Sequence, residues 1–181
     1  MINDNGSECK VSVDGTDFRV QQFQPYDEKW KSHKFEAPRL RYEVGVAIQT
    51  GYIVWLNGPF KAGEFNDIMI FRQALKSMLK NGERVEADKG YLGEHAHIDV
   101  PNDMLGLDPD QKRRKAIVRY RHETCNKRFK QWNCLKQVFR HQIHKHVEVF
   151  NAVAVLTQLS IENGWPLFQV EYKTKNYPTY N

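Results

Sequence analysis

The stretch Glu83-Arg-Val-Glu-Ala-Asp-Lys-Gly-Tyr-Leu-Gly93 constrains the fold of this chain most strongly. Its apolar centre is short enough for one strand, which would place Asp88 at the strand's carboxyl end. Gly90 then permits a sharp turn because it lacks a side chain. Open sheets bind ligands at this edge. An Asp close to a Gly is also ordinary turn chemistry, so the stretch indicates a site only together with acids from elsewhere.

The first half of the chain predicts strands followed by a helix. A strand from Cys9 to Val20 carries Asp14, whose charge cannot be buried there without a partner. Leu40 to Ile48 alternates between apolar and polar side chains, and Tyr52 to Leu56 is typical of the returning strand of a hairpin. We expect a loop at 58–63 and then a helix with apolar residues at helical spacing. Those residues are Ile68, Phe71, Leu75, Met78 and Leu79.

Two helices are predicted after the Asp88 strand. Asp108 and Pro109 form a helix-start pattern, and we expect that helix to continue to about Phe139. Glu123 lies about 200° around the helix from Cys125 and therefore faces away from the apolar stripe. The stripe comprises Val118, Cys125, Phe129, Trp132 and Leu135. The last helix, from about His141 to Asn163, is predicted to bury Val147, Phe150, Val153, Ala154, Leu156 and Leu159.

Positive charge is concentrated in one segment. The net charge is +5, but residues 112–130 contain nine basic residues and one acid, Glu123. Arg119, Lys127 and Lys130 lie on the same side of the helix as Glu123. This asymmetry indicates a polyanionic partner, although an exposed helix with internal ion pairs has the same pattern. The 181 residues fit one domain, and we find neither a secretory signal nor a stretch apolar enough to span a membrane.

Asp14, Asp88 and Glu123 would repel one another if the fold brought them together, unless their pKa values shifted or a cation bound. Ligation by a few carboxylate oxygens suits Mg²⁺ or Mn²⁺. Two such ions about 4 Å apart would activate a water or a 3′-hydroxyl and stabilise the leaving oxygen of a phosphodiester. Asp14 would bridge both ions, and the basic helix would add sequence-independent affinity for DNA.

Four motifs then occur in a recognisable order and resemble the DDE superfamily endonuclease domain of PIF/Harbinger-like transposases, from about Val11 to Leu159. They are Val13-Asp-Gly-Thr16, Gly58-Pro with Gly63 and Asp67, Ala87-Asp-Lys-Gly-Tyr91, and Arg121-His-Glu-Thr-Cys-Asn-Lys-Arg-Phe-Lys130. The resemblance implies an α/β, RNase H-like fold in which helices flank a mixed sheet. It also implies that Asp14, Asp88 and Glu123 are catalytic and bind the metal ions.

The resemblance implies further site residues. Arg119, Glu123 and Lys130 are similar to the Arg, Glu and Lys of a signature in related bacterial transposases, although the tyrosine of that signature is Ala116 here. We therefore expect Arg119, Lys127 and Lys130 to bind DNA phosphates. Asp67 matches a recurrent aspartate of the family, but its position suits a helix N-cap equally well, so it ranks below the other three acids.

The resemblance also implies a nuclear protein that acts on DNA, with a Myb/SANT-like DNA-binding protein as a partner and homo-oligomers that hold two DNA ends. We expect residues 1–181 to form one endonuclease domain without the DNA-binding segment that usually precedes it in the family. The alternative is a domesticated or fragmentary module that keeps the fold and binds DNA or protein without cutting. A zinc site is disfavoured because no paired Cys-x-x-Cys or matching His couple completes it; its candidate ligands would be Cys125, Cys134, His122, His141, His144 and His146. A Cys-His nucleophile from His122 and Cys125 is disfavoured because nothing marks an oxyanion hole.

Overall fold

The computed structural model describes residues 9–80, 82–100 and 109–170. Six strands form one mixed sheet. They are β1 (Cys9–Arg19), β2 (Lys31–Ser32), β3 (Ala37–Ala47), β4 (Ile53–Lys61), β5 (Arg84–Ala87) and β6 (Ile98–Asp99). β3 pairs antiparallel with β1, β4 and the short β2, whereas β5 pairs parallel with β1 and β6. The predicted mixed sheet flanked by helices is confirmed.

Five helices accompany the sheet in the described residues. They are α1 (Asp67–Gln73), α2 (Leu75–Met78), α3 (Pro109–Phe129), α4 (Asn133–Lys136) and α5 (Ile143–Glu162). The start of α1 is set by Asn66, whose side chain accepts a hydrogen bond from the Met69 backbone N–H at 3.0 Å. Asp108, the predicted cap of α3, lies outside the described residues. None of the described helices is both long and apolar enough to cross a bilayer.

Side-chain alternation along the strands gives the sheet two apolar faces. Leu40, Tyr42, Val44, Val46 and Ile48 are all buried, as their alternation predicts. Most of them pack with the apolar sides of α3 and α5 around Phe129 and Phe150. A second cluster includes Val13 and Val85 of the sheet, and Phe71 of α1. Asp14 pairs with Val44 in the β1–β3 register, and it therefore faces α3, whereas its neighbour Gly15 faces α1.

The predicted loop at 58–63 is wrong for its first four residues, because β4 continues through Gly58 and Pro59 to Lys61. Its pairing with β3 shifts register between Arg41 and Glu43, opposite Gly58 and Pro59. Within the described part of the chain β4 pairs with β3 alone. A proline is tolerated there because an edge strand does not need every N–H for pairing.

The predicted end of the long helix is also wrong, since α3 ends at Phe129 rather than near Phe139. The chain instead returns to the sheet, where the Phe139 N–H donates to the Arg19 carbonyl oxygen at 2.9 Å. In α5 the buried face includes His146, Thr157 and Ile161. The predicted inward residues Leu156 and Leu159 are exposed. Met78 and Trp132, also predicted to be apolar contacts, are exposed as well.

Candidate metal-dependent nuclease site

Asp14 and Asp88 lie side by side because β1 and β5 are parallel neighbours. Val13 pairs with Ala87 in their register, so the residue after each occupies the same level of the sheet. Asp88 follows the last residue of β5, at the carboxyl end that its sequence predicts. Its Oδ1 accepts a hydrogen bond from the Gly90 N–H at 2.7 Å, which fixes the turn that leaves the sheet. Two acids from segments distant in sequence therefore meet beside the carboxyl end of β5.

Glu123 reaches the same place from α3. It is exposed on the helix face opposite the buried Cys125. It lines one cavity of about 230 Å³ together with Asp14 and Asp88; below we call this the first cavity. The three acids predicted from the sequence thus share one cavity, and Arg119 lines it as well.

Asn126 of α3 contacts Asp14 directly. Its Nδ2 donates to Asp14 Oδ2 at 2.9 Å. The Asn126 side chain is buried, and its Oδ1 has no hydrogen-bond partner among the described atoms. Since α3 supplies Asn126 as well as Glu123, packing of this one helix fixes both contributions to the site. The sequence analysis assigned no role to Asn126.

Asp67 is a fourth acid at the site. A side-chain carbon at Gly15 would lie 2.3 Å from Asp67 Oδ1, and one at Gly90 would lie 2.7 Å from Asp67 Oδ2. Both glycines are therefore required so that the Asp67 carboxylate can fit between β1 and the turn after Asp88. Arg41 holds it from the other side, with Nη1 3.3 Å from Oδ1. Asn66, not Asp67, is the N-cap, which leaves the Asp67 carboxylate directed to the site.

Burial and neighbouring acids raise the pKa values of Asp14 and Asp67. Burial, followed by the charges of Asp88 and Asp67, raises the pKa of Asp14 to about 7. Burial and the charge of Asp88 also raise the pKa of Asp67, although Arg41 opposes this. Asp14 receives a neutral amide donor rather than a cation as its direct partner. A cation bound beside such carboxylates would stabilise their charged form and lower their pKa values.

A second group of ionisable side chains includes Glu86 and Asp99, which also line the first cavity. Among the described residues, only Cys9, Glu86 and Asp99 place three ligand atoms within 4.8 Å of one another, so the oxygens of the three predicted catalytic acids are spread more widely. Lys115 already neutralises this second group, because its Nζ lies 2.7 Å from Asp99 Oδ2 and 3.8 Å from Glu86 Oε1. An internal ammonium in that position leaves little need for a metal ion there.

His122 lies beside Glu123 in sequence but is not a charged site residue. Its Nδ1 is 2.8 Å from Ser12 Oγ on β1. Burial lowers its pKa to about 3, so the ring is neutral at physiological pH. Cys125 is buried in the apolar core, and burial raises the pKa of its thiol to about 12. These environments agree with the sequence argument against a Cys-His nucleophile.

The three basic residues predicted to bind DNA do not form a single line along α3. Arg119 lines the first cavity with Glu123. Lys130 follows the end of α3 and lines another cavity, of about 410 Å³, on the other side of Asp14 and Asp88; we call this the second cavity. Lys127 is exposed and lines neither cavity. The earlier end of α3 accounts for the position of Lys130, because this residue lies beyond the helix and no longer follows the helical spacing.

The sheet order and the acid positions define a class of α/β domain with an RNase H-like arrangement, in which acids from β1, the end of β5 and α3 line one cavity. A comparison with protein-family models matches residues 13–158 to the DDE superfamily endonuclease family. The chain belongs to this family. Neither the curated proteins nor the solved structures contain a significant match to it.

The carboxylates at this site are suitable ligands for divalent metal ions. The first-cavity acids offer carboxylate oxygens alone, which is the donor set of Mg²⁺ and Mn²⁺. Burial and the charges of Asp88 and Asp67 raise the pKa of Asp14, and a bound cation would offset both effects. DDE nucleases generally use divalent metals, and the residues present fit such ions.

Proposed function

We propose that this chain is the catalytic domain of a transposase-type endonuclease and that it cleaves phosphodiester bonds in DNA with Asp14, Asp88 and Glu123. The observation that carries the proposal is that these acids, from β1, the end of β5 and α3, line one cavity within a DDE endonuclease domain. When bound, two Mg²⁺ or Mn²⁺ ions would activate the attacking water or 3′-hydroxyl and stabilise the leaving oxygen.

The chain's own residues have distinct parts in this proposal. Asp14, placed between both cavities, would bind both ions, and Asp88 and Glu123 would each bind one. Asp67 would support Asp88 and Asp14 while Arg41 holds its carboxylate in place. Arg119 in the first cavity and Lys130 in the second would bind phosphates on either side of the scissile bond, and Lys127 would contact DNA further along α3.

Cleavage of labelled duplex and nicked DNA with Mn²⁺ tests the proposal. Glu123→Gln removes the charge and keeps nearly the same shape on an exposed helix position. The matched control is Glu148→Gln, an exposed residue of α5 outside both cavities. We expect wild type and the control to cleave and Glu123→Gln to lose activity. Equal cleavage by all three proteins would refute the assignment. DNA binding without cleavage by wild type would favour the non-catalytic module.

Metal binding is tested separately by thermal unfolding. A cation that binds only the folded chain raises its melting temperature by mass action. We expect Mn²⁺ to do so for wild type and not for Asp88→Asn. An equal response of both proteins would show that the metal binds elsewhere.

Five more specific features are proposed from the family resemblance alone. They are the PIF/Harbinger subfamily, strand transfer in addition to cleavage, a Myb/SANT-like partner, homo-oligomers and a nuclear location. Co-purification of the expressed chain with a Myb/SANT-like protein tests the partner, and light scattering on a DNA complex tests the oligomer.

A further inference from the structure

The turn between β2 and β3, residues 33–36, places a lysine between the two cavities. Lys34 lines the first cavity with Glu123 and the second cavity with Lys130. Asp14 and Asp88 line both cavities too, so the acids separate one space from the other. Among the described residues Lys34 is the one cation that lines both.

This turn is anchored to the strand that carries Asp14. The buried Ser32 donates from Oγ to Asp17 Oδ2 at 3.0 Å, three residues along β1 from Asp14. The Ser32 carbonyl accepts hydrogen bonds from the N–H groups of Phe35 and Glu36, at 3.2 and 2.8 Å. These bonds fix where Lys34 leaves the backbone, although its side chain is exposed and extends into solvent-filled space.

The Lys34 ammonium has no ion-pair partner in the part of the chain that the structure describes. Other lysines of this region form ion pairs: Lys29 with Glu64, Lys31 with Glu36 and Lys61 with Asp27. Within the described residues Lys34 forms none, yet its charge lowers the pKa values of both Asp14 and Asp67. It therefore lies close enough to the acids for its charge to act on them while remaining available to an external anion.

We propose that Lys34 binds the DNA phosphate next to the scissile one, so that a strand passes from the first cavity across the acids into the second. This inference rests on the proposed function, because it takes the acids as the position of the scissile phosphate. An exposed lysine that lines both cavities suits a backbone phosphate, which is recognised by charge rather than by base sequence.

The test measures DNA binding in a chain that does not cut. Lys34→Gln and Lys34→Arg are each combined with Glu123→Gln, and affinity for nicked duplex DNA is followed by fluorescence anisotropy in Mn²⁺ at several salt concentrations. Lys145→Gln, an exposed lysine of α5 outside both cavities, is the control for the loss of one positive charge. In the binding assay Lys145→Gln is likewise combined with Glu123→Gln. For the metal response, Lys34→Gln, Lys34→Arg and Lys145→Gln are made with Glu123 intact, and these three proteins and wild type are melted with and without Mn²⁺.

We expect Lys34→Gln to weaken binding roughly fivefold and to reduce the slope of log affinity against log salt by about 0.9, as for one lost phosphate contact. Lys34→Arg should restore both values, and the Mn²⁺ melting shift should be retained throughout. Binding by Lys34→Gln equal to that of Lys145→Gln overturns the inference, and so does loss of the Mn²⁺ shift, which would mean that Lys34 acts on the metal site. If wild-type chain fails to cleave DNA, the proposed function itself falls, and the inference falls with it.

Discussion

Removing the charge of Asp14 should stabilise the metal-free protein while abolishing its response to metal. Asp14→Asn keeps an oxygen that can accept the hydrogen bond from Asn126. It removes a carboxylate whose pKa is raised from 3.8 to about 7 by burial and by Asp88 and Asp67. Taken whole, that shift corresponds to about 4 kcal/mol. Because Asp14 is only half-buried and water screens part of its charge, we expect about 2 kcal/mol.

The sign of this effect follows from proton linkage. The folded chain holds the Asp14 proton more tightly than the unfolded chain, so wild-type stability is favoured at low pH and falls as pH rises from about 4 to about 7. Asp14→Asn has no titratable group at this position, so its stability lacks this pH dependence. The difference in free energy of unfolding between variant and wild type should therefore be largest above pH 7 and shrink as pH is lowered.

Urea unfolding in EDTA at pH 5, 6, 7 and 8 measures the difference, with Glu148→Gln as a surface variant that removes the same charge. With saturating Mn²⁺ at pH 8 the order should reverse, because wild type gains binding energy and Asp14→Asn does not. A variant that is less stable than wild type in EDTA at pH 8, or a difference that stays constant from pH 5 to 8, would refute the reasoning.

Three further predictions concern residues around the acids. Gly15→Ala should destabilise the fold by about 1–3 kcal/mol, because its new carbon would lie 2.3 Å from Asp67 Oδ1; urea unfolding should show a smaller cost in an Asp67→Ala background, and an equal cost would place the clash elsewhere. Asn126→Leu should weaken Mn²⁺ binding roughly tenfold by removing the donor to Asp14, as read from a Mn²⁺ titration of melting temperature; an unchanged midpoint would contradict it. Lys115→Met should cost about 3 kcal/mol because Glu86 and Asp99 lose their buried counterion; adding Glu86→Gln should recover part of that loss, and no recovery would argue against the pairing.

Local patterns predicted the part of the site that depends on strand ends. The apolar run before Asp88 and the alternation from Leu40 to Ile48 are short-range patterns. Each therefore predicts a strand from the sequence alone. Asp88 was predicted at a strand's carboxyl end and Asp14 on a strand, and the two acids meet because Val13 pairs with Ala87 in the parallel β1–β5 register. The order of Asp14, Asp88 and Glu123 matched a family pattern, and the structure places all three in one cavity.

Long-range packing determines the features that the sequence did not reveal. Asp67 sits at the site because Gly15 and Gly90, far from it in sequence, leave space for its carboxylate. Helical spacing beyond Phe129 continued to suggest α3, but pairing of Phe139 with β1 ends it early and moves Lys130 to the second cavity. Lys34 lies in an irregular segment, and the hydrogen bond from Ser32 to Asp17, which is 15 residues away in sequence, anchors its turn to β1.

Asp14 and Glu43 have similarly raised pKa values but differ in their access to solvent. Burial raises the pKa of each carboxyl to about 7, and neither has a cation as its direct partner. Glu43 is fully buried, accepts from Trp55 Nε1 at 2.8 Å and lines neither cavity, so only a proton can neutralise it. Asp14 opens to both cavities, where a hydrated ion can reach it. The same rise in pKa therefore favours a bound proton on the enclosed Glu43 and, on our proposal, a metal ion on the accessible Asp14.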